Sequence, residues 1–156
     1  MPRKPLSRWV AFSIMLRKYG YIPSASDFLT QLRLDGRTIR CCTDAEVLLS
    51  GEPPTDSLGW KKMLNRYGVD TITCAVQAYS VITGIDCEKE LRAVLKSGEC
   101  FSLKHLAVTG DDLLSLGLKG PELGEMLKFL LDYVMEYPDN NKREILLELA
   151  KYSEES

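Results

Sequence analysis

Apolar residues recur at three- and four-residue spacings almost from the start of the chain. Trp9, Val10, Phe12, Leu16 and Tyr19 take one side of a helix predicted from Leu6 to Tyr19, and Gly20 supplies its stop before Pro23. Ser24 or Ser26 can cap a short second helix carrying Phe28, Leu29 and Leu32, after which Asp35-Gly36 makes a turn before a helix predicted from Thr38 to Leu49. A loop at 50–55 follows. Asp56 then caps a helix bearing Leu58, Trp60, Met63, Leu64 and Tyr67, which Gly68 ends. Asp70 can cap another running through Ile82 to Gly84, and Asp86 begins one that reaches Lys96.

Beyond Gly98 glycine punctuates the chain more densely. Ser102-Leu-Lys-His-Leu reads as a capped helical turn, Thr109-Gly-Asp-Asp starts a short helix, and Leu116 to Gly124 holds three glycines in nine residues. From Pro121 the spacing of Leu123, Met126, Leu127, Leu130, Leu131 and Val134 describes a strong helix, with proline at the first-turn position where its missing N–H is harmless. Pro138 stops it, and Asn140 or Asn141 caps a last helix with Ile145, Leu146, Leu149 and Tyr152. No alternating strand pattern of convincing length occurs, so the chain is read as all-α: an array of short helices in one compact unit or two small packed lobes. The division is placed between residues 1–97 and 98–156, the second region carrying the glycine-rich hairpin.

Composition narrows the function more than the fold. The chain has 156 residues, of which 45% are apolar, enough for a genuine core. No apolar run approaches the roughly 18 residues that cross a bilayer, and the Met-Pro-Arg-Lys-Pro start lacks the uninterrupted apolar stretch of a signal peptide. The expectation is a cytoplasmic protein with no membrane partner. Five cysteines, of which only Cys41 and Cys42 are close in sequence, suit neither a disulfide framework nor a zinc site and are expected to be reduced and buried. His105 is the only histidine, so there is no histidine cluster for a metal and no second histidine to activate a nucleophile. It neighbours Leu103, Leu106 and Val108, where a packed or surface histidine is commoner than a lone catalyst. Asp111 and Asp112 are adjacent on a helix, their side chains diverging by about 100°, and read as charges at a helix N-terminus and not as metal ligands.

Charge is distributed unevenly. Residues 1–68 hold eleven Lys/Arg against six Asp/Glu, while residues 69–156 hold nine against sixteen. Arg33, Arg37 and Arg40 come three or four residues apart, a spacing that lines them along a helix-and-turn surface able to meet phosphate; the competing reading is local pairing with Asp35, Asp44 or Glu46. A second candidate is the hairpin. At the start of the Pro121 helix the first-turn amides of Glu122 to Gly124 lack intrahelical partners and sit at the positive end of the dipole, with Gly120 before them and Lys119 adding charge. The competing reading is structural: Gly110, Gly117 and Gly120 as turns, and Gly124 as a point of close helix approach.

These residues also carry a resemblance. Leu103 to Leu113 reads Leu-x-x-Leu-x-Val-x-Gly-x-Asp-Leu, followed by a Leu-Gly turn, Gly-Pro-x-x-Gly at Gly120 to Gly124, a long apolar helix, and an Asn before a Leu-Leu-rich helix. This stretch resembles the C-terminal region of bacterial CCA-adding tRNA nucleotidyltransferases. Phe28 to Arg40, with its Leu-Arg-x-Asp-x-x-x-Ile pattern, is similar to the helical body of the same family. The family's nucleotide-adding head, with a Gly-Ser-rich turn and an Asp-x-Asp metal pair, has no counterpart here, and Glu88-Lys-Glu-Leu-Arg92 is not the Glu-Asp-x-x-Arg of the family's neck. Asp111 stands where many relatives carry Lys. The resemblance therefore implies a body-like region (1–97) and a tail-like region (98–156) that grip tRNA, with no catalysis by this chain alone. Magnesium and CTP or ATP would be needed only at a separate head. It implies the acceptor and T arm of tRNA as partner, and a catalytic head or another protein as a second one. The RNA-binding residues expected are Arg33, Arg37, Arg40, Lys104, Lys119, Gly120, Pro121, Glu122 and Gly124, with no catalytic or metal-binding residue. The alternative is a helical protein-interaction module derived from such a region, marked by an exposed row of Leu123, Leu127, Leu130 and Leu131.

Overall fold

Acidic and hydroxyl side chains cap the starts of four helices in the computed structural model, which describes residues 4–154. Helix α1 (Pro5–Lys18) begins on a proline, which needs no amide partner in the first turn. Ser24 accepts from the Asp27 amide to start α2 (Ala25–Gln31), and Asp35 accepts from the Thr38 amide at 3.0 Å to start α3 (Gly36–Leu49). Gly36 is thus already helical instead of part of a turn. Asp56 accepts from the Gly59 amide at 2.8 Å to start α4 (Ser57–Tyr67).

The expected Asp70 cap is not made. Gly68, at φ 83°, both ends α4 and precedes α5 (Val69–Thr83), so Asp70 already lies inside the first turn. A left-handed glycine redirects the chain within one residue, which leaves no room for a separate cap. Helix α6 (Glu88–Ser97) follows, the Glu88 amide donating to Asp86.

Two compact units result, Met1–Lys96 and Ser97–Ser156. In the first, α1, α3 and α5 pack on one another, α2 lies on α1 and α3, and α4 lies on α5. The contacts are made by small residues. Val10, Ala11, Ala25, Ala45, Ala75 and Ala78 join Leu29 and the thiols of Cys41, Cys42 and Cys74 in a buried cluster rimmed by Leu6, Trp9, Phe28 and Leu34. No disulfide joins the five cysteines, and all five are buried, as their spacing predicts. Burial pushes the Cys42 thiol up to about 11, so it behaves as a small apolar group. Two buried hydroxyls are satisfied: Ser7 donates to Gln77 Oε1 at 2.6 Å and Ser13 to the Val10 carbonyl at 3.1 Å.

The second unit begins with a 3₁₀ turn (Leu103–His105), followed by α7 (Gly110–Ser115), α8 (Pro121–Glu136), a 3₁₀ turn (Pro138–Asn140) and α9 (Arg143–Glu154). Thr109 and Asp112 form a reciprocal capping box at α7. Leu106, Val108, Leu113, Leu130, Leu131, Val134 and Leu146 are buried. Two expected caps have other roles. Ser102 does not cap the first turn; its hydroxyl faces His105 Nδ1 at 3.1 Å. Asn141 does not cap α9: its Oδ1 accepts from the Ala107 amide and its Nδ2 donates to the His105 carbonyl, both at 2.8 Å, tying two loops distant in sequence. Asn140 donates to the Tyr133 hydroxyl at 2.7 Å. Among the described residues there is no strand, so the chain is all-α, and no helix is long and apolar enough to cross a membrane.

Candidate nucleic-acid interface

The three arginines occupy different local environments at the start of α3. Helix α2 ends in a Schellman motif: the Leu34 amide donates to the Leu29 carbonyl and the Arg33 amide to the Thr30 carbonyl. The residue between them takes the left-handed conformation that normally belongs to glycine, yet here it is Arg33, at φ 57°. It is the only non-glycine residue with positive φ among those described, and a side chain there costs about 1 kcal/mol. Its side chain is exposed and has no hydrogen-bond or ion-pair partner among the described residues. The pairing with Asp35 that competed for it is absent because the Asp35 carboxylate instead accepts from the Thr38 amide and hydroxyl, bonds that hold it below the usual carboxylate range.

Arg37 and Arg40 lie one turn apart on α3 and border a common cleft with Tyr67, Asp70 and Thr71. Arg37 is ion-paired to Asp70 of α5, a partner that sequence spacing could not indicate. Arg40 is exposed and unpaired among the described residues. Arg37 and Asp70 also line a second cleft with Lys4, Asp35, Thr38 and Thr73, which brings a lysine from the residue before α1 to the same surface. Nothing in the local sequence signals that Lys4 and Arg37 line one cleft, since 33 residues separate them.

The hairpin residues belong to the second unit. Gly117 and Gly120 have φ 105° and 61°, conformations that turn the chain from α7 into α8. No side chain caps α8; Gly120 precedes it, Pro121 opens it, and Glu122 and Gly124 are exposed in its first turn. A Cβ at Gly124 would meet nothing within 4 Å, which removes the close-approach reading of that glycine. A Cβ added at Gly110 would lie 3.6 Å from Leu123 Cδ2, an ordinary van der Waals contact. Lys119 is exposed beside this turn, and Lys104 is exposed on the 3₁₀ turn, a separate stretch of the unit.

Asp112 and His105 have structural partners. Arg143 donates to Asp112 Oδ1 at 2.7 Å, and with the Thr109 contacts this holds the Asp112 carboxyl at about 2. His105 stacks edge-on against Phe101 at 5.7 Å between ring centres. Among the described residues no group of three or more His, Cys, Asp or Glu side chains is arranged to hold a metal ion. With Asp112 engaged by Arg143 and Thr109, the Asp111-Asp112 pair does not fit magnesium.

The family model described as "tRNA nucleotidyltransferase domain 2 putative" matches residues 3–150. No curated protein and no solved structure matches the chain.

Proposed function

The chain belongs to the tRNA nucleotidyltransferase domain 2 family, and on that premise we propose that it is the tRNA-gripping body-and-tail portion of a CCA-adding nucleotidyltransferase. Membership gives it a tRNA-related role. The finer reading is that it holds the acceptor and T arm by backbone phosphates, recognising helical shape with little base readout. The observation that carries it is Arg33: an exposed, unpartnered cation kept where the backbone favours glycine. Arg40 and Lys4 extend the cationic edge, while Lys104, Lys119 and the amides of Glu122 to Gly124 offer further phosphate contacts in the second unit. Nucleotide addition requires magnesium and CTP or ATP at a separate head, and no step of it is assigned to these residues.

The test is fluorescence anisotropy of a labelled acceptor–T-arm minihelix, titrated with the full chain at several salt concentrations beside an unrelated RNA duplex. Salt-sensitive binding that prefers the minihelix is expected. No binding at low salt would overturn the reading and favour a protein-interaction module. The surface that such a module would use is not laid bare, however: Leu130 is fully buried, Leu131 is 3% exposed, and Leu123 and Leu127 are half-buried.

A further inference from the structure

Among the described residues three helices end in the same hydrogen-bonded turn, and one of them breaks the pattern. In a Schellman motif the residue after the left-handed position is usually apolar and folds back on the last helical turn. After α7 that residue is Leu118, 4% exposed; after α2 it is Leu34, packed on the core cluster. After α1 the backbone is the same. The Tyr21 amide donates to the Leu16 carbonyl, the Gly20 amide donates to the Arg17 carbonyl, and Gly20 is at φ 75°. Yet Tyr21 stands 76% exposed and Tyr19, at the cap, 66%. Two aromatic rings are therefore held out from a rigid turn instead of packing behind it.

Residues on both flanks of the turn line a cleft, with Tyr19 and Tyr21 themselves outside its lining. Arg17 and Lys18 on one side of the turn and Ser24 and Ser26 on the other all line this cleft of about 640 Å³, within the size range of small-ligand sites. Its walls are apolar side chains from the last turns of α3 and α5, Val47, Leu49 and Ile82 among them, with the Thr43 hydroxyl and Tyr79 between. Helices α1, α3 and α5 all end here and α2 begins here at its Ser24 cap, so three partial negative C-termini outweigh one partial positive N-terminus, and with Glu46 in the lining the interior favours an uncharged group carrying N–H donors. The cations stand at the rim. Arg17 is paired with Glu46, but Lys18 is exposed and has no ion-pair partner among the described residues.

We propose that this cleft and the Tyr19–Tyr21 turn bind an unpaired nucleotide of RNA. The base enters the apolar cleft or stacks on the tyrosines, and its phosphate stays at the rim against Lys18. An aromatic platform beside a cation is the arrangement that holds single-stranded nucleic acid without reading its sequence. A neutral base with amino groups satisfies the cleft's electrostatics, whereas phosphate satisfies only the rim. This inference rests on the RNA-binding reading above, and it adds a site at the end of the helices opposite to the one that carries Arg37.

The experiment compares a labelled blunt RNA duplex with the same duplex carrying a single-stranded 3′ extension, titrated with the full chain at low salt, while the minihelix titration runs in parallel. The extended duplex should bind at least about five-fold more tightly, the contribution of one stacked base. The double variant Y19A/Y21A should lose that preference without weakening blunt-duplex binding, Y19F/Y21F should keep it, and Val47→Trp, which fills the cleft from an exposed position, should reduce it. Equal binding of both duplexes by the unaltered chain, with minihelix binding intact, overturns this site alone. A preference that survives Y19A/Y21A also overturns it and makes the exposed rings a protein contact. Absence of all RNA binding overturns the site together with the function it rests on.

Discussion

Arg33 carries a local conflict between stability and surface chemistry. Its φ of 57° is accessible to glycine at no steric cost, so Arg33→Gly should raise stability by up to about 1 kcal/mol while weakening RNA binding. Chemical denaturation and minihelix anisotropy on the same variant read the two effects separately. Asp112 is a conflict-free residue by comparison, capping α7 and pairing with Arg143 through one carboxylate. Its pKa is depressed to about 2 from the ordinary 3.8, so it binds its proton more readily in the unfolded chain. The stability it contributes is therefore complete above about pH 4 and is lost as pH falls toward 2. Thermal unfolding between pH 2 and 7 should show Asp112→Asn less stable at neutral pH and with a shallower decline in acid. Parallel curves would mean that the pair contributes nothing.

At the scale of elements, the starts of α2, α4 and α7 were legible because each depends on one side chain three residues before the amide it caps, whereas the Asp35 cap of α3, built the same way, was read as a turn. Asp70 and Asn141 were misread for the opposite reason: their partners, Arg37 and the Ala107–His105 loop, lie more than thirty residues away. Asn141 makes two long-range hydrogen bonds, one part-buried, and Asn141→Ala should cost about 1–3 kcal/mol of unfolding free energy in urea titration. Helix α8 offers a reverse case. Gly124 is exposed, its φ is ordinary and a Cβ there has open space, so Gly124→Ala should stabilise the chain by about 0.5–1 kcal/mol. A loss of stability would show that the first turn of α8 is not as open as its geometry indicates.

Across the whole chain, charge differs between the two units. Residues 1–96 carry fourteen Lys/Arg against ten Asp/Glu, and residues 97–156 carry six against twelve. A phosphate contact in the second unit therefore works against the net charge of that unit, whereas Arg33 and Arg40 work with theirs. R33A/R40A should reduce the slope of log affinity against log salt by about two, at roughly 0.9 per phosphate contact. K104E/K119E should have the smaller effect on affinity. The reverse order would move the main contact to the hairpin.

The helical periodicity, the glycine stops and the short-range caps were determined by the sequence itself, because each depends on residues within about one turn of one another. So too was the family resemblance of Phe28 to Arg40 and Leu103 to Ala150, within the match over residues 3–150. Only the tertiary structure decided which arginine stays unpaired, since Arg37 meets Asp70 across two helices while Arg33 and Arg40 meet no described acid. It also decided that Tyr21 stands in solvent where Leu118, on the same backbone turn, is buried. The backbone of a turn follows from local sequence, but the burial of its side chain depends on which distant helix arrives to cover it.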